Sequence, residues 1–309
     1  MSDEPSAQVH PLDPPLVHGL PERKDPMSIQ LSCNDYAWPT LSHDVVMAII
    51  ADLGFDGIDV GLFADATHVT VSSVRQDPRR RAESVRRSAE GHGLAVADVF
   101  LTASMDLARL SPTSRNAGDQ AELQEIFAAT VEFAAATGAS GITLLPGVVA
   151  GNQSPHMGIA LAAAGLVPLV GMGTERGLAV SVEPHVGSCI ETPEATRELL
   201  DLCPGLTVTL DPGHFAFLGA DVESMLKLAD RIRHVQLRPG GHGVMQARLP
   251  ENRIDFRGLV AGLVGAGYSG YLASEFVWME KWGCDATDNV AESDRLGRLL
   301  REILSEVNR

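Results

Sequence analysis

Apolar and polar residues alternate in short runs along most of the chain, and longer stretches of helical spacing separate these runs. The alternating runs are "SIQLSC" (28–33), "GIDVGLF" (57–63), "LAVADVFLT" (94–102), "GITLLPG" (141–147), "LAVSVEP" (178–184), "LTVTLD" (206–211), "RHVQLR" (233–238) and "YLASEF" (271–276). A period of two predicts strands. Between them, segments such as "SHDVVMAIIADLG", "QAELQEIFAATVEFAAATG", "TPEATRELLDLC" and "DFRGLVAGLVGAG" have the spacing of amphipathic helices, and "DNVAESDRLGRLLREILSEV" closes the chain. Gly54, Gly138 and Gly267 stand where a helix end takes a left-handed residue, and Thr192-Pro193 reads as a cap followed by the first helical position. Strand and helix in strict alternation predict a parallel α/β fold. An open doubly wound sheet shares that pattern. Eight units over residues 27–309 fit a closed (β/α)8 TIM barrel better, read as a single domain. Residues 1–26, with six of the eighteen prolines and no apolar period, read as a flexible N-terminal arm.

Composition narrows the partners. Lys and Arg number 24 against 40 Asp and Glu, a net charge of −16, which disfavours nucleic acid. The densest basic strip, "RQDPRRRAESVRR" (75–87), has helical spacing and reads as a solvated helix face. Cys33, Cys189, Cys203 and Cys284 are scattered without a CxxC pair, which argues against a zinc knuckle and a disulfide framework. The acidic, proline-rich start has no apolar core of a signal peptide, and no apolar run reaches the ~18 residues of a membrane span. The expected location is the cytoplasm. Ile159–Val170 reads as a buried helix.

The chemistry sits in the last four strands. Barrel enzymes work at the C-terminal ends of their strands, and there these strands carry Glu183, Asp211, Gln236 and Glu275, one each, at intervals of about one β/α unit. Parity turns them inward: Ser181 shares a face with Glu183, Thr207 and Thr209 with Asp211, and His234 with Gln236. Three converging carboxylates repel one another, and a divalent cation removes the conflict. The hard, oxygen-rich set suits Mn²⁺ or Mg²⁺, with Co²⁺ as a further option, over a structural zinc. Taken singly, each residue has an ordinary explanation: a strand-end acid is more often a helix cap or surface charge, and His234 competes with Gln236. The joint pattern favours the metal. His214 and His185 are placed to contact substrate, as are Arg238, which opens the loop "RPGGHG", and Trp38, Trp278 and Trp282 on the same rim. "GMGTERG" (171–177) precedes a strand where a dinucleotide fingerprint must follow one, and GxxxxGK[ST], HExxH and GxSxG are absent.

"SVEPHVGS", "LDPGHF", "RHVQLRPG" and "SEFVW", in this order, resemble the xylose-isomerase-like sugar phosphate isomerase/epimerase superfamily, which also includes family-2 AP endonucleases. The likeness covers about residues 28–305. It implies a barrel with one divalent metal, commonly manganese, held by Glu183, Asp211, Gln236 and Glu275. It also implies Glu183 and Glu275 as a proton-shuttling pair, with His214 and His185 on the substrate. Gln236 stands where the endonucleases and ketose 3-epimerases have histidine, and the further histidines of a multi-zinc cluster are missing, so DNA repair does not fit. The tail "EFVWMEKWGCDATDNVAESDRL" is similar to members that act on oxidised glycosides, losing an α-proton and then the aglycone, sometimes with a small second subunit. The expectation is a metal-dependent sugar isomerase or epimerase, with a lyase or C-glycoside deglycosidase subunit as the alternative. A barrel that has lost catalysis and serves as a binding subunit is the third option. Barrels of this type often self-associate through the loops after strands one to three, so a homo-oligomer is expected.

Overall fold

The computed structural model describes residues 29–64, 66–151 and 153–307; the arm expected at 1–26 lies outside the described residues. Eight strands form the frame: β1 (Gln30–Asn34), β2 (Gly57–Phe63), β3 (Ala95–Thr102), β4 (Gly141–Leu144), β5 (Ala179–Val182), β6 (Thr207–Leu210), β7 (Ile232–Leu237) and β8 (Tyr271–Ser274). All neighbours pair in parallel, and β8 pairs back onto β1, so the sheet closes in sequence order. This is the TIM barrel, and the open sheet is excluded.

Ten α-helices are described: α1 (His43–Asp52), α2 (Val71–Gln76), α3 (Pro78–Gly91), α4 (Ala117–Thr137), α5 (Pro155–Thr174), α6 (Pro193–Leu202), α7 (Pro212–Phe217), α8 (Val222–Leu226), α9 (Phe256–Gly265) and α10 (Asn289–Val307). The excess over eight has a local cause. Asp77 stops α2, and Pro78 starts α3 with the Asp77 side chain accepting from Arg80 N–H. Asp211-Pro212 opens α7 directly at the end of β6, Gly219 at φ 92° turns the chain, and Asp221 caps α8.

The longest apolar helix, α5, runs further than the Ile159–Val170 stretch read from sequence. By length and composition it passes for a membrane span, yet half of its most apolar window is buried in the barrel wall. Its glycines explain the fit: a Cβ at Gly165 would meet the Pro112 carbonyl oxygen at 2.3 Å, and one at Gly173 would meet Val180 at 2.4 Å. The basic strip lies on α3, which buries Ala82, Val85 and Ala89 and leaves most of its arginines in solvent.

Strand parity divides the core. Outward residues such as Ile58, Val60, Leu62, Val208, Leu210, Val235 and Leu237 are fully buried under the helices. The barrel interior is polar and paired. His234 Nε2 lies 2.6 Å from Asp59 Oδ2, Arg233 reaches Asp98 at 2.8 Å, and Thr143 contacts Asp98 at 2.5 Å and Thr209 at 2.6 Å. Ser181 and Thr207 meet at 2.7 Å. Charge inside a barrel is tolerated because each group has a partner, and this floor carries the side chains of the mouth.

Candidate active site

Above that floor each strand delivers one more inward residue to the mouth. Glu183 and Asp211 follow β5 and β6, Gln236 is the last inward residue within β7 with Arg238 just past its end, and Glu275 follows β8. Carboxylate oxygens of Glu183, Asp211 and Glu275 come within 4.8 Å of one another, and all three side chains are buried. Asp211 does have the ordinary role considered for it: Oδ1 accepts from Gly213 N–H at 2.7 Å and caps α7. Its Oδ2 is still free to face the cluster, where it accepts from Arg238 at 2.6 Å. His234 sits one layer deeper with Asp59, which leaves Gln236 at the level of the carboxylates.

The cluster is short of cations. Arg238 is 4% exposed and brings its guanidinium to Asp211 and, at 3.4 Å, to Glu275. One positive charge among three carboxylates leaves two negative charges unbalanced when all are ionised. Burial, followed by Glu275 and Asp211, pushes Glu183 well above the usual carboxylate range. Burial also drives Glu275 to about 8 against the pull of Arg238, and Asp211 is raised by burial in spite of its ion pair with Arg238. Burial opposes the charge of Arg238, but Asp211, Glu275 and Glu183 outweigh it and hold the guanidinium protonated.

The unpartnered atoms fit a metal. Among the described residues, Glu183 Oε1 and Gln236 Oε1 are buried oxygens with no hydrogen-bond partner, an expensive state unless something positive meets them, and Glu275 Oε2 has only the Arg238 guanidinium at 3.4 Å. Tyr36 orders two of these donors. Its hydroxyl donates to Glu275 Oε1 at 2.8 Å and accepts from Gln236 Nε2 at 3.3 Å, so Gln236 Oε1 is left open and Glu275 Oε2 is turned to Arg238. A divalent ion needs such hard oxygen donors with their protons removed.

Both imidazoles flank the carboxylates. His214, in the first turn of α7, has Nε2 3.5 Å from Asp211 Oδ2 and 3.9 Å from Glu183 Oε2. Arg238 approaches the same nitrogen at 3.1 Å while Val186 N–H faces Nδ1 at 3.4 Å. A neutral ring accepts only one of these donors at a time. The His185 ring lies 4.3 Å from that of His214, tilted by 40°, and gives its Nδ1 proton to the Val186 carbonyl at 2.6 Å. Burial is the main cause that lowers both, His185 to about 4 and His214 well below the ordinary histidine value.

These groups open onto a cavity of about 370 Å³ at the C-terminal mouth, where Tyr36, Glu183, His185, His214, Arg238 and Glu275 form the polar end. Trp38 is not part of it. The turn Asp35–Ala37 breaks the alternation that would have carried Trp38 inward, and the indole packs in the core at 9% exposure. Trp282 lines the cavity instead, and Trp278 is exposed outside it. Tyr36 was missed, although it continues the inward parity of Ser32 and Asn34 for one more step. Gly61 gives its ring room: a Cβ there would lie 2.6 Å from the Tyr36 ring.

Residues 47–301 match the family model described as a xylose isomerase-like TIM barrel. The chain belongs to that family. Within the xylose isomerase-like family match lie all four oxygen donors and both histidines, whereas Tyr36 falls before it. An L-ribulose 3-epimerase structure superposes with a TM-score of 0.72 at 18% identity, covering 91% of this chain and 96% of the other. A xylose isomerase-like TIM barrel protein from Mycobacterium smegmatis in complex with magnesium gives 0.69 at 14% identity, covering 92% and 99%. At such identities the likeness is one of fold. An inosose dehydratase from Clostridium perfringens is 33% identical over 79 residues, 25% of this chain and 27% of the relative, so the matched stretch spans about a quarter of that relative's length.

Proposed function

We propose that this protein is a divalent-metal-dependent isomerase or epimerase of a carbohydrate, acting by abstraction of a proton next to a carbonyl. The observation that carries this reading is the convergence of the Glu183, Asp211 and Glu275 carboxylates, with Gln236 tied to Glu275 through Tyr36 and with Glu183 Oε1 and Gln236 Oε1 buried and unpartnered. Mn²⁺ is the proposed ion, with Mg²⁺ or Co²⁺ as substitutes. When bound, such an ion supplies a Lewis acid that polarises a carbonyl and steadies the negative charge that develops beside it.

The chain's own groups do the rest. Glu183 and Glu275 reach the cavity from β5 and β8, so one, ionised, can take a proton from a substrate carbon while the other, protonated, gives its own proton to a different carbon or face. Tyr36 fixes the Glu275 carboxylate by its Oε1 and leaves Oε2 facing inward. His185, with Nδ1–H spent on the Val186 carbonyl, keeps Nε2 to accept from a substrate hydroxyl. Arg238 offers a rigid donor fork to a substrate oxygen.

A second reading shares the first step and then expels a β-substituent, which makes the protein a lyase. It is favoured by the dehydratase activity in the name of the Clostridium relatives. Incubation of the Mn²⁺-loaded protein with ketoses in D₂O separates the two. Deuterium at the carbon beside the carbonyl, with nothing released, is the expected result. Release of water or of a substituent selects the lyase, and no exchange with any ketose or ketose ether removes the isomerase reading.

A further inference from the structure

The mouth of the barrel has two unlike halves. The four strands β5–β8 deliver the charged groups, whereas the inward residues Phe63 at the end of β2, Phe100 in β3 and Leu145 after β4 line the cavity on the opposite side. The loops extend the apolar side: Met105 after β3 and Met279 and Trp282 after β8 line the same cavity. Beyond the polar end, Thr102 and Lys281 are the remaining polar side chains in the lining, and Lys281 Nζ sits 4.0 Å over the Trp282 ring.

Trp282 is held in place at a conformational cost. It adopts φ 62°, ψ 15°, the left-handed region that bulky L-residues avoid, followed by Gly283 at φ 67°. Strain of this kind persists where the surroundings over-determine it, often at ligand clamps. The result is an indole 6.2 Å from His185, at the seam between the two halves. Met105 is 61% exposed and Met279 is 38% exposed, so two flexible thioether side chains edge the opening.

A free ketose matches only one half of this cavity. It carries oxygen on every carbon, and hydroxyls pressed against Phe, Leu and Met without partners are unfavourable. The volume also falls in the range of pockets that hold drug-sized ligands, about 300–1,000 Å³. We propose that the natural substrate is amphipathic, with an oxygenated carbonyl end against β5–β8 and an apolar group of aromatic-ring size against Phe63, Phe100, Leu145, Met105, Met279 and Trp282. This deepens the proposed function and rests on its placement of the carbonyl at the carboxylate cluster.

The test is calorimetric binding of three ligands to the Mn²⁺-loaded protein: D-fructose, its 6-O-methyl ether and its 6-O-benzyl ether. The benzyl ether is expected to bind at least about tenfold more tightly than the methyl ether, the order of discrimination that apolar pockets give. Trp282→Ala should remove most of that difference. Met105→Ser, at an exposed site that leaves folding intact, should reduce it. Equal binding of the two ethers, no binding of either, or a preference untouched by both variants would overturn the proposal. Deuterium exchange on the same ligands is read separately. Exchange without a benzyl preference sinks only the amphipathic substrate, and a preference without exchange sinks only the isomerase reading.

Discussion

Tyr36 joins two of the four oxygen donors through one hydroxyl, donating to Glu275 and accepting from Gln236. Removing that hydroxyl frees the Gln236 amide to flip and the Glu275 carboxylate to rotate. Outer-sphere partners of this kind are worth about 10–100-fold in metal affinity. Tyr36→Phe should therefore weaken Mn²⁺ binding by that order, read by calorimetry on chelator-stripped protein, while the circular dichroism spectrum stays unchanged. Glu275 gives a second expectation, in pH. In the ion-free fold its proton is held to about 8, against an ordinary 4.5, so across this window the folded state binds more protons than the unfolded one. Stability then falls as pH rises between those values. Denaturant midpoints of the stripped protein should drop from about pH 5 to about pH 8, and Glu275→Gln should flatten the drop; a midpoint that rises over this range would contradict the assignment. The three clustered carboxylates were legible in sequence because each directly follows a strand on the inward face. Tyr36 was not, because it lies past the end of β1 in the turn Asp35–Ala37, and Trp38 was misplaced because that single turn breaks the alternation without a mark in residue type.

At the scale of elements, the strands were the most legible part of the chain. A buried parallel strand has outward Val, Ile and Leu against the helices and inward small or polar residues, and "GIDVGLF" coincides with β2 at both ends. Helices were harder where proline starts a new one at once, as at Asp77-Pro78, or where a strand end doubles as a cap, as at Asp211-Pro212. In α5 the glycines have opposite meanings that only packing reveals. A Cβ at Gly165 would drive into the Pro112 backbone, whereas one at exposed Gly171 meets nothing within 4 Å. Gly165→Ala should destabilise by about 1–3 kcal/mol through overpacking. Gly171→Ala should stabilise by about 0.5–1 kcal/mol through helix propensity. Urea midpoints that move in the same direction for both would show that α5 is not seated as described.

For the whole molecule, the closed barrel sets a polar floor, a carboxylate ring and a half-apolar mouth in register along one axis. The acids at the ends of the last four strands anticipated the carboxylate ring, whereas the polar floor was not foreseen and the apolar half depends on loop side chains whose convergence has no local signature. The four cysteines report on the integrity of this arrangement. All are buried, and burial pushes Cys33 and Cys189 up to about 12, so at about pH 8 their thiols stay protonated and shielded. The native protein should leave a thiol reagent unreacted, and four equivalents should be consumed only after denaturation; fast labelling of the native state would mean an open barrel wall. The central claim, that the ends of β5–β8 share one cation, is tested most directly by anomalous diffraction from a crystal soaked in Mn²⁺. The account predicts one peak within about 2.0–2.6 Å of oxygens from Glu183, Asp211, Gln236 and Glu275, with Arg238 turned toward the cavity. A crystal in which the guanidinium still fills the cluster and no peak lies among these side chains would contradict it.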